Sequence, residues 1–262
     1  MKRAIAVLCL LATTAHADDY YDDDAPPAYQ LNLQADIPAL AIVTLTTTAW
    51  FFDLGPAWCH PRCDPSTLNG IDRPFAGRYY PSWTTAGTSV ATVLLVTPLP
   101  ILLAVEKPKN ALNDSVVIAE SVMFSSALGV MFETGVRRPR PFLYSDKAPL
   151  SVRNDTNASL SFFSGHTADS FAATIALWRT LDRLDVRARW KYLLLGAGLA
   201  GSAFVGVSRV VSGDHFPTDV VVGADIGIGF GFLLPALHSR GMLVSPTYIG
   251  GDSPGLSFAG SF

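Results

Sequence analysis

Six long apolar stretches, separated by more polar segments, dominate the sequence. They cover residues 36–53, 85–105, 114–135, 167–180, 191–208 and 218–237. Each mixes large apolar side chains with Ala, Gly, Ser or Thr over a helical length, and none shows the alternation of a half-buried strand. Small residues at this density let helices pack closely, in a membrane or in a compact bundle. The pattern therefore predicts an all-α fold, a bundle of about six helices.

The segments between and after these stretches differ in character. Residues 54–84 are rich in Pro, Gly and aromatic residues, which is typical of a structured loop. Residues 141–163 form a second long loop, and loops of that length in an apolar bundle are usually functional or disordered. Residues 241–262 alternate apolar residues with glycines and prolines, which predicts a short extended tail that could form a hairpin. We interpret residues 36–240 as a single helical domain.

The N-terminus has the pattern of a secretory signal peptide. A basic start, an apolar run over residues 4–12 and an Ala-His-Ala site predict a signal at 1–17 with cleavage after Ala17. The apolar run is shorter than the ~20 residues that span a bilayer. Residues 18–35 then carry five aspartates, two prolines and three tyrosines, which predicts a flexible acidic lead-in.

The composition narrows the class of protein. Charged residues make up 16% of the chain, against roughly 25% in an average soluble protein, and the mean hydropathy is +0.31. These values favour a membrane protein or a very apolar helical bundle. The net charge of −3 gives no indication of a nucleic-acid partner.

The basic residues of two loops predict an orientation in a membrane. Residues 106–110 carry two lysines, and residues 183–191 carry three arginines and a lysine, so both loops belong on the cytoplasmic side if the helices span. The loops after residues 135 and 208 then face the periplasm. The stretch 36–53 does not fit this topology once the signal is cleaved. Either it does not span, or the signal is retained as an anchor, or the whole bundle is periplasmic.

Two cysteines remain after the signal is removed. Cys59 and Cys63 are close together in an exported chain, which favours a disulfide. A metal site that includes His60 is the alternative, but no clear fourth ligand is nearby.

The first cluster with chemical potential is Arg137-Arg138-Pro139-Arg140, at the end of the third apolar stretch. Guanidinium groups this close repel each other unless an anion lies among them. The prolines end the helix and stiffen the turn that carries the arginines. The alternative is an ordinary basic flank of a membrane helix.

The second cluster is Ser164-Gly165-His166-Thr167, immediately before the fourth stretch. Backbone N–H groups at a helix start, beside a hydroxyl, form a cradle for an anion. His166 is placed to exchange protons with such an anion. The alternative is a helix N-cap with an incidental histidine.

The third cluster is Ser208-Arg209, followed by His215 and Asp219. Pro217 favours a helix start here, so His215 and Asp219 lie about one turn apart. A carboxylate at that spacing can accept one imidazole N–H and leave the other ring nitrogen free as a nucleophile. Arg209 can reach the same anion. The alternative is a capped helix with a surface histidine.

Together the three clusters resemble the type 2 phosphatidic acid phosphatase and vanadium haloperoxidase superfamily. Its motifs are Lys-x6-Arg-Pro, Pro-Ser-Gly-His and Ser-Arg-x5-His-x3-Asp. The third motif is complete over residues 208–219, and the second has Phe163 in place of its proline. The first has Glu133 where the lysine is expected, seven residues before Arg140. The resemblance covers about residues 133–237.

The resemblance implies a mechanism and a set of ligands. His215 attacks phosphorus to form a phosphohistidine, Asp219 holds its ring, and His166 acts as acid and base. The implied phosphate ligands are Arg140, Arg209, Ser164 and the amide of Gly165. No metal or cofactor is required, since the guanidinium groups supply the positive charge.

The acidic residue in the first motif calls for a compensating arrangement. We expect Glu133 to turn away and pair with Arg137, one turn further along, while Arg138 supplies the missing cation at the phosphate. A weakened site, or one with altered specificity, is the alternative.

Four functions follow as hypotheses. The first is a phosphatase for a lipid phosphate or diphosphate, such as phosphatidate or a polyprenyl diphosphate. The second is a periplasmic acid phosphatase for small phosphomonoesters, and the third is a vanadate-dependent haloperoxidase. The fourth is a non-catalytic protein with a decayed site. The missing lysine argues against vanadate retention, and the intact His166, His215 and Asp219 argue against decay.

Overall fold

The computed structural model of the protein describes residues 26–48, 57–59, 62–239, 243–249 and 253–259. The predicted signal peptide at 1–17, its cleavage site and the first part of the acidic lead-in lie outside the described residues.

The described part of the chain confirms the all-α prediction. The helices in chain order are α1 (Leu33–Thr47), α2 (Pro81–Val96), α3 (Pro98–Leu103), α4 (Pro108–Val136), α5 (Leu150–Arg153), α6 (Gly165–Arg183), α7 (Ala188–Ser212) and α8 (Pro217–Ser239). Helices α3 and α5 are short, and the six long helices correspond to the six apolar stretches. Two strands in the C-terminal tail, β1 (Leu243–Ile249) and β2 (Ser253–Ala259), pair antiparallel as a hairpin.

Prolines set several helix boundaries that the apolar pattern misses. Pro81, Pro108 and Pro217 occupy the first position of their helices, where a backbone N–H would have no partner and φ is already helical. The stretch predicted as one helix over 85–105 is two helices, because Pro98 cannot continue the hydrogen bonding of α2 and starts α3 instead.

Helix α6 lies at the centre of the bundle, in contact with α2, α4, α7 and α8. Many of its buried residues are Ala, Ser or Thr, so its neighbours come very close. Gly223, Gly227 and Gly231, four residues apart, form the face of α8 that meets it. A Cβ added at Gly227 would lie 2.1 Å from the carbonyl oxygen of Ala168. The backbones of α6 and α8 are therefore nearly in contact.

Four segments are long and apolar enough to cross a membrane: Pro81–Leu103, Pro108–Tyr144, Ala188–Ser212 and Pro217–Ser239. Large apolar side chains such as Val93, Leu193, Val221 and Phe232 point outward from them. An outer surface of this kind is suited to lipid. The protein is thus a membrane protein. The apolar part of α1, Asp36–Thr47, is shorter than these four segments.

A cap of loops covers the end of the bundle where α4 ends and α6 and α8 begin. The two long loops of the sequence contribute Leu68, Phe142, Leu143 and Tyr144 to a small core that also contains Phe216. Cys59 and Cys63 are bonded to each other in this layer. The segment between the first two long helices is therefore a structured loop where it is described.

The end of the acidic lead-in is held against the bundle. The backbone N–H groups of Ala28 and Tyr29 donate to the carboxylate of Asp114 on α4, at 2.7 and 3.2 Å. Tyr29 is 1% exposed. The prediction of a flexible segment over 18–35 is therefore wrong for this part, because a buried carboxylate on α4 requires donors and these amides provide them.

Candidate active site

The three clusters predicted from the sequence meet at the capped end of the bundle. The C-terminal ends of α4 and α7 and the N-terminal ends of α2, α6 and α8 surround a cavity of about 480 Å³. Five predicted site residues line it: His166, His215, Arg140, Arg209 and Gly165.

His215 lines this cavity, and only 2% of its surface is exposed to solvent. Its Nδ1 lies 2.7 Å from the carbonyl oxygen of Ser161. Because a carbonyl can only accept, the proton belongs on Nδ1, and Nε2 is left unprotonated as an acceptor. Nη1 of Arg140 lies 3.3 Å from that Nε2. The ring is therefore oriented with an unprotonated nitrogen next to a guanidinium, as a nucleophile for an anionic substrate requires.

Asp219 supports His215 in a different way from that predicted. Its Oδ2 is 4.0 Å from Nδ1 of the ring, too far for a hydrogen bond. The same oxygen accepts from the hydroxyl of Ser161 at 2.6 Å and from the N–H of Phe216 at 2.8 Å. The carboxylate thus holds the residue whose carbonyl orients the imidazole.

Arg138 does not line the cavity. Its guanidinium donates to Asp72 at 2.7 Å and to Thr218 at 2.8 Å, pairs with Asp219, and lies 4.5 Å from the centre of the Phe216 ring. Burial favours a raised pKa at Asp72, but hydrogen bonds from Arg138 and Thr218 outweigh it and lower that pKa. The structure therefore does not support Arg138 as a phosphate ligand, because two buried carboxylates occupy its donors.

Arg140, which follows α4, and Arg209, in the last turn of α7, both line the cavity, and both contact Asp214. Arg140 donates to the backbone carbonyls of Asn157 at 2.7 Å and Asp214 at 3.0 Å. Arg209, 3% exposed, donates to Oγ1 of Thr88 at 2.7 Å and pairs with the carboxylate of Asp214 at 3.4 Å. Two oriented guanidinium groups at one cavity form a site for a multivalent anion. Sequence reasoning missed Thr88 and Asp214, although Asp214 directly precedes His215.

His166 lies in the first turn of α6, accessible from the cavity. Enclosure by protein atoms, followed by the charges of Arg209 and Arg140, lowers the pKa of His166 to about 4, with Asp214 opposing the shift. Burial, and then the charge of Arg140, also lowers the pKa of His215 well below its usual value. Burial and the charges of Arg140 and Arg209 therefore lower the pKa of both imidazoles at this cavity.

The start of α6 contributes a backbone group but not the predicted hydroxyl. Gly165 is the first residue of the helix, where the N–H has no intrahelical acceptor, and it lines the cavity. Ser164 is fully buried, and its Oγ lies 2.9 Å from Oγ1 of Thr167. The structure therefore brings Gly165 to the cavity and directs Ser164 into the protein.

Glu133 lies in the last turns of α4, at the position where the family motif has a lysine, and it is 4% exposed. It is among the residues that line the cavity. Glu133 therefore lies at the cavity, and its pairing with Arg137 stays a prediction. No lysine lines the cavity in the described part of the chain.

Part of the chain is similar to a protein family and to known proteins. The model of the PAP2 superfamily matches residues 114–242. The chain is 32% identical to a lipid A 1-phosphatase of Porphyromonas gingivalis over 112 residues, which are 43% of this chain and 23% of that protein. It is 27% identical to a decaprenylphosphoryl-5-phosphoribose phosphatase of Mycobacterium tuberculosis over 139 residues, which are 53% of this chain and 69% of that protein.

A solved structure also aligns with part of the chain. It is the first transmembrane PAP2-type phosphatidylglycerolphosphate phosphatase from Bacillus subtilis, with a TM-score of 0.47 and 20% identity. The match covers 77% of this chain and 94% of that one.

Proposed function

Because the chain belongs to the PAP2 superfamily, we propose that it hydrolyses a lipid phosphate ester or diphosphate through a phosphohistidine on His215. One observation carries the proposal. The unprotonated Nε2 of His215 faces a cavity that also holds the guanidinium groups of Arg140 and Arg209. A nucleophile between two phosphate-binding cations fits displacement at phosphorus.

In the first step the lone pair of Nε2 attacks phosphorus, and a P–N bond forms as the bond to the leaving oxygen breaks. Nδ1 of His215 keeps its proton against the Ser161 carbonyl, which stabilises the charge on the ring. His166, protonated from solvent when the anionic substrate binds, gives that proton to the leaving oxygen. The two arginines and the amide of Gly165 stabilise the remaining oxygens of the transferring phosphoryl group.

In the second step the neutral His166 takes a proton from water, and the resulting hydroxide displaces His215 from phosphorus. The P–N bond breaks and inorganic phosphate leaves. His215 is then neutral again, and His166 again carries the proton that it gave up in the first step. Bound phosphate also offsets the arginine charges that lower the pKa of His166. Substrate binding therefore raises the pKa of His166, so that this residue takes up a proton from solvent and carries it near neutral pH.

The position of the cavity favours a lipid substrate. It lies at the ends of helices that are long enough to cross a membrane. An amphiphile whose acyl or prenyl chain stays in the bilayer can present its phosphate at that height. A soluble phosphomonoester has no acyl or prenyl chain that the bilayer could hold beside the cavity.

The charges of the loops favour a periplasm-facing site. The loop before α4 carries Lys107, and the end of α6 and the start of α7 carry Arg183, Arg187 and Arg189. These loops lie at the helix ends opposite the cavity. Basic loops remain in the cytoplasm, so the cavity would open to the other side.

The test is phosphate release by the full chain in detergent, in the presence of a chelator. The substrates are phosphatidate, phosphatidylglycerophosphate, a polyprenyl diphosphate and p-nitrophenyl phosphate. We expect turnover of at least one lipid well above that of the nitrophenyl ester. Comparable turnover of the small ester would favour the acid phosphatase, and halide oxidation with vanadate and peroxide would favour the haloperoxidase. If none of the four substrates releases phosphate, the proposal fails.

We expect Thr88→Val to lower kcat/KM by at least about tenfold, which corresponds to about 1.4 kcal/mol. The substitution removes the oxygen that holds Nη2 of Arg209, and hydrogen bonds to charged groups contribute on that scale. Thr85→Val on the same helix is the matched control, because both hydroxyls also bond a carbonyl one turn earlier but Thr85 does not line the cavity. Equal losses in both variants would show that Thr88 does not position Arg209.

We expect Glu133→Lys to retain or raise phosphatase activity. A carboxylate in the cavity lining repels a phosphate dianion, whereas a lysine there restores the cation expected by the family motif. Glu133→Gln separates the removal of negative charge from the addition of positive charge. The measurement is kcat/KM on the best lipid substrate. A total loss in Glu133→Lys would show that the alignment of the first motif is wrong.

A further inference from the structure

A second polar cluster lies inside the bundle, far from the cavity. Asp36 of α1, Glu120 of α4 and His238 of α8 each offer one ligand atom, and these atoms all lie within 4.8 Å of one another. Their side chains are 12%, 3% and 9% exposed. His238 is in the last turn of α8, about 30 Å along that helix from the residues at the cavity.

The imidazole of His238 is held in one orientation. Its Nδ1 lies 2.9 Å from the carbonyl oxygen of Leu234, so Nδ1 carries a proton and donates it. Nε2 then points at Oε2 of Glu120, 3.1 Å away, and at Oδ1 of Asp36, 3.5 Å away. An unprotonated Nε2 would face both carboxylates with its lone pair, so a cation must lie between them, either a proton on Nε2 or a metal ion.

Both carboxylates also have oxygen atoms available to a ligand. Apart from the 3.1 Å contact of Oε2 with His238, neither buried oxygen of Glu120 accepts a hydrogen bond within the described part of the chain. Asp36 accepts the N–H of Asn32 on its second oxygen at 2.7 Å, which leaves Oδ1 directed at the cluster. A buried acceptor without a donor costs free energy, and a bound ion would remove that cost.

Charge and geometry identify the class of ion. Two carboxylates and a neutral imidazole carry a charge of −2, which a divalent cation cancels and a single proton does not. In a tetrahedral zinc site with bonds of 2.0–2.1 Å, neighbouring ligand atoms are about 3.3 Å apart. The separations of 3.1 and 3.5 Å around Nε2 bracket that value. A ring N–H donated to a backbone carbonyl is also the usual support of a metal-binding histidine.

We propose that Asp36, Glu120 and His238 bind Zn²⁺, or a divalent transition metal of the same class, in a site that joins α1 to α4 and α8. The three ligands come from three helices, so the ion crosslinks elements distant in sequence. Such a site is structural, and it does not depend on the phosphatase proposal.

The test uses the full chain in detergent after removal of metals with a chelator. Zn²⁺ is titrated in competition with a chromophoric chelator, and the thermal unfolding midpoint is measured with and without Zn²⁺. We expect one Zn²⁺ per chain and a higher midpoint when it is bound. His238→Ala and the nearly isosteric Glu120→Gln should weaken binding by at least about 100-fold, the upper end of what loss of a supporting group costs, and abolish the rise.

Two controls separate this site from other buried or histidine-containing groups. Glu106→Gln neutralises another buried carboxylate, outside the cluster, and should bind Zn²⁺ like the wild type. His215→Ala should also bind normally, because the cavity is not involved. Co²⁺ in the wild type should give visible d–d absorption that His238→Ala lacks.

Either of two results would overturn the proposal. One is wild-type binding no tighter than that of Glu120→Gln, which would leave a protonated His238 between two carboxylates as the explanation. The other is binding lost in His215→Ala instead, which would place the ion in the cavity.

Discussion

Replacing His215 by alanine should lower the rate of phosphate release on the order of 10⁴-fold or more, the scale on which loss of an enzymatic nucleophile acts. The reason is geometric. Nε2 of this ring is the unprotonated nitrogen beside Arg140 in the cavity, and alanine supplies no other atom that can bond to phosphorus. The measurement is steady-state phosphate release from the best lipid substrate, compared with the wild type at equal amounts of folded protein.

A covalent intermediate distinguishes this expectation from general loss of the site. With a substrate labelled in its phosphoryl group, a rapid quench should trap acid-labile label on the wild type. In His166→Ala the label should accumulate, because this variant lacks the base that activates water to hydrolyse the intermediate. The substrate for this variant needs a leaving group that departs without protonation, since His166 is also the acid of the first step. His215→Ala should carry no label. Unchanged turnover in His215→Ala would eliminate the phosphohistidine mechanism.

Replacing Gly227 by alanine should destabilise the folded protein by about 3 kcal/mol or more, the upper range for overpacking. The added Cβ would lie 2.1 Å from the carbonyl oxygen of Ala168, and a backbone atom cannot rotate away as a flexible side chain can. Helices α6 and α8 would have to separate. Because Ala168 is two residues from His166, the separation should reduce activity as well as stability. The measurement is the thermal unfolding midpoint in detergent together with kcat/KM.

Gly229→Ala on the same helix is the matched control. A Cβ at Gly229 meets no atom within 4 Å, and alanine is the better helix former by about 1 kcal/mol. This variant should unfold at the wild-type temperature or slightly above it. Equal midpoints for Gly227→Ala and Gly229→Ala would show that the two helices do not pack as closely as described.

The comparison of these two glycines shows what a sequence can and cannot reveal about packing. Both lie in one apolar stretch, two positions apart, and composition treats them alike. The spacing of four between Gly223, Gly227 and Gly231 is visible in the sequence and indicates a close helix contact. Only the structure identifies Ala168 on α6 as the partner.

The arginines of the first motif also show that the sequence alone does not identify which side chains reach the cavity. Their crowding indicated an anion, and Arg140 does reach the cavity beside His215. Arg138, two residues away, is instead bound to Asp72 and Asp219, 66 and 81 positions distant. No local pattern distinguishes the two side chains, because their roles depend on which acidic groups the folded chain brings to each of them.

The sequence by itself determined the helical class, the apolar stretches that became the six long helices, and the complete motif that carries Arg209 and His215. These features follow from residues within one or two helical turns, where spacing alone decides which side chains are neighbours. The tertiary structure alone decided that the carbonyl of Ser161, 54 positions away, orients His215, and that Thr88, 121 positions away, holds Arg209. Such partners are set by how the helices pack and how the cap closes, and neither leaves a periodic trace in the chain.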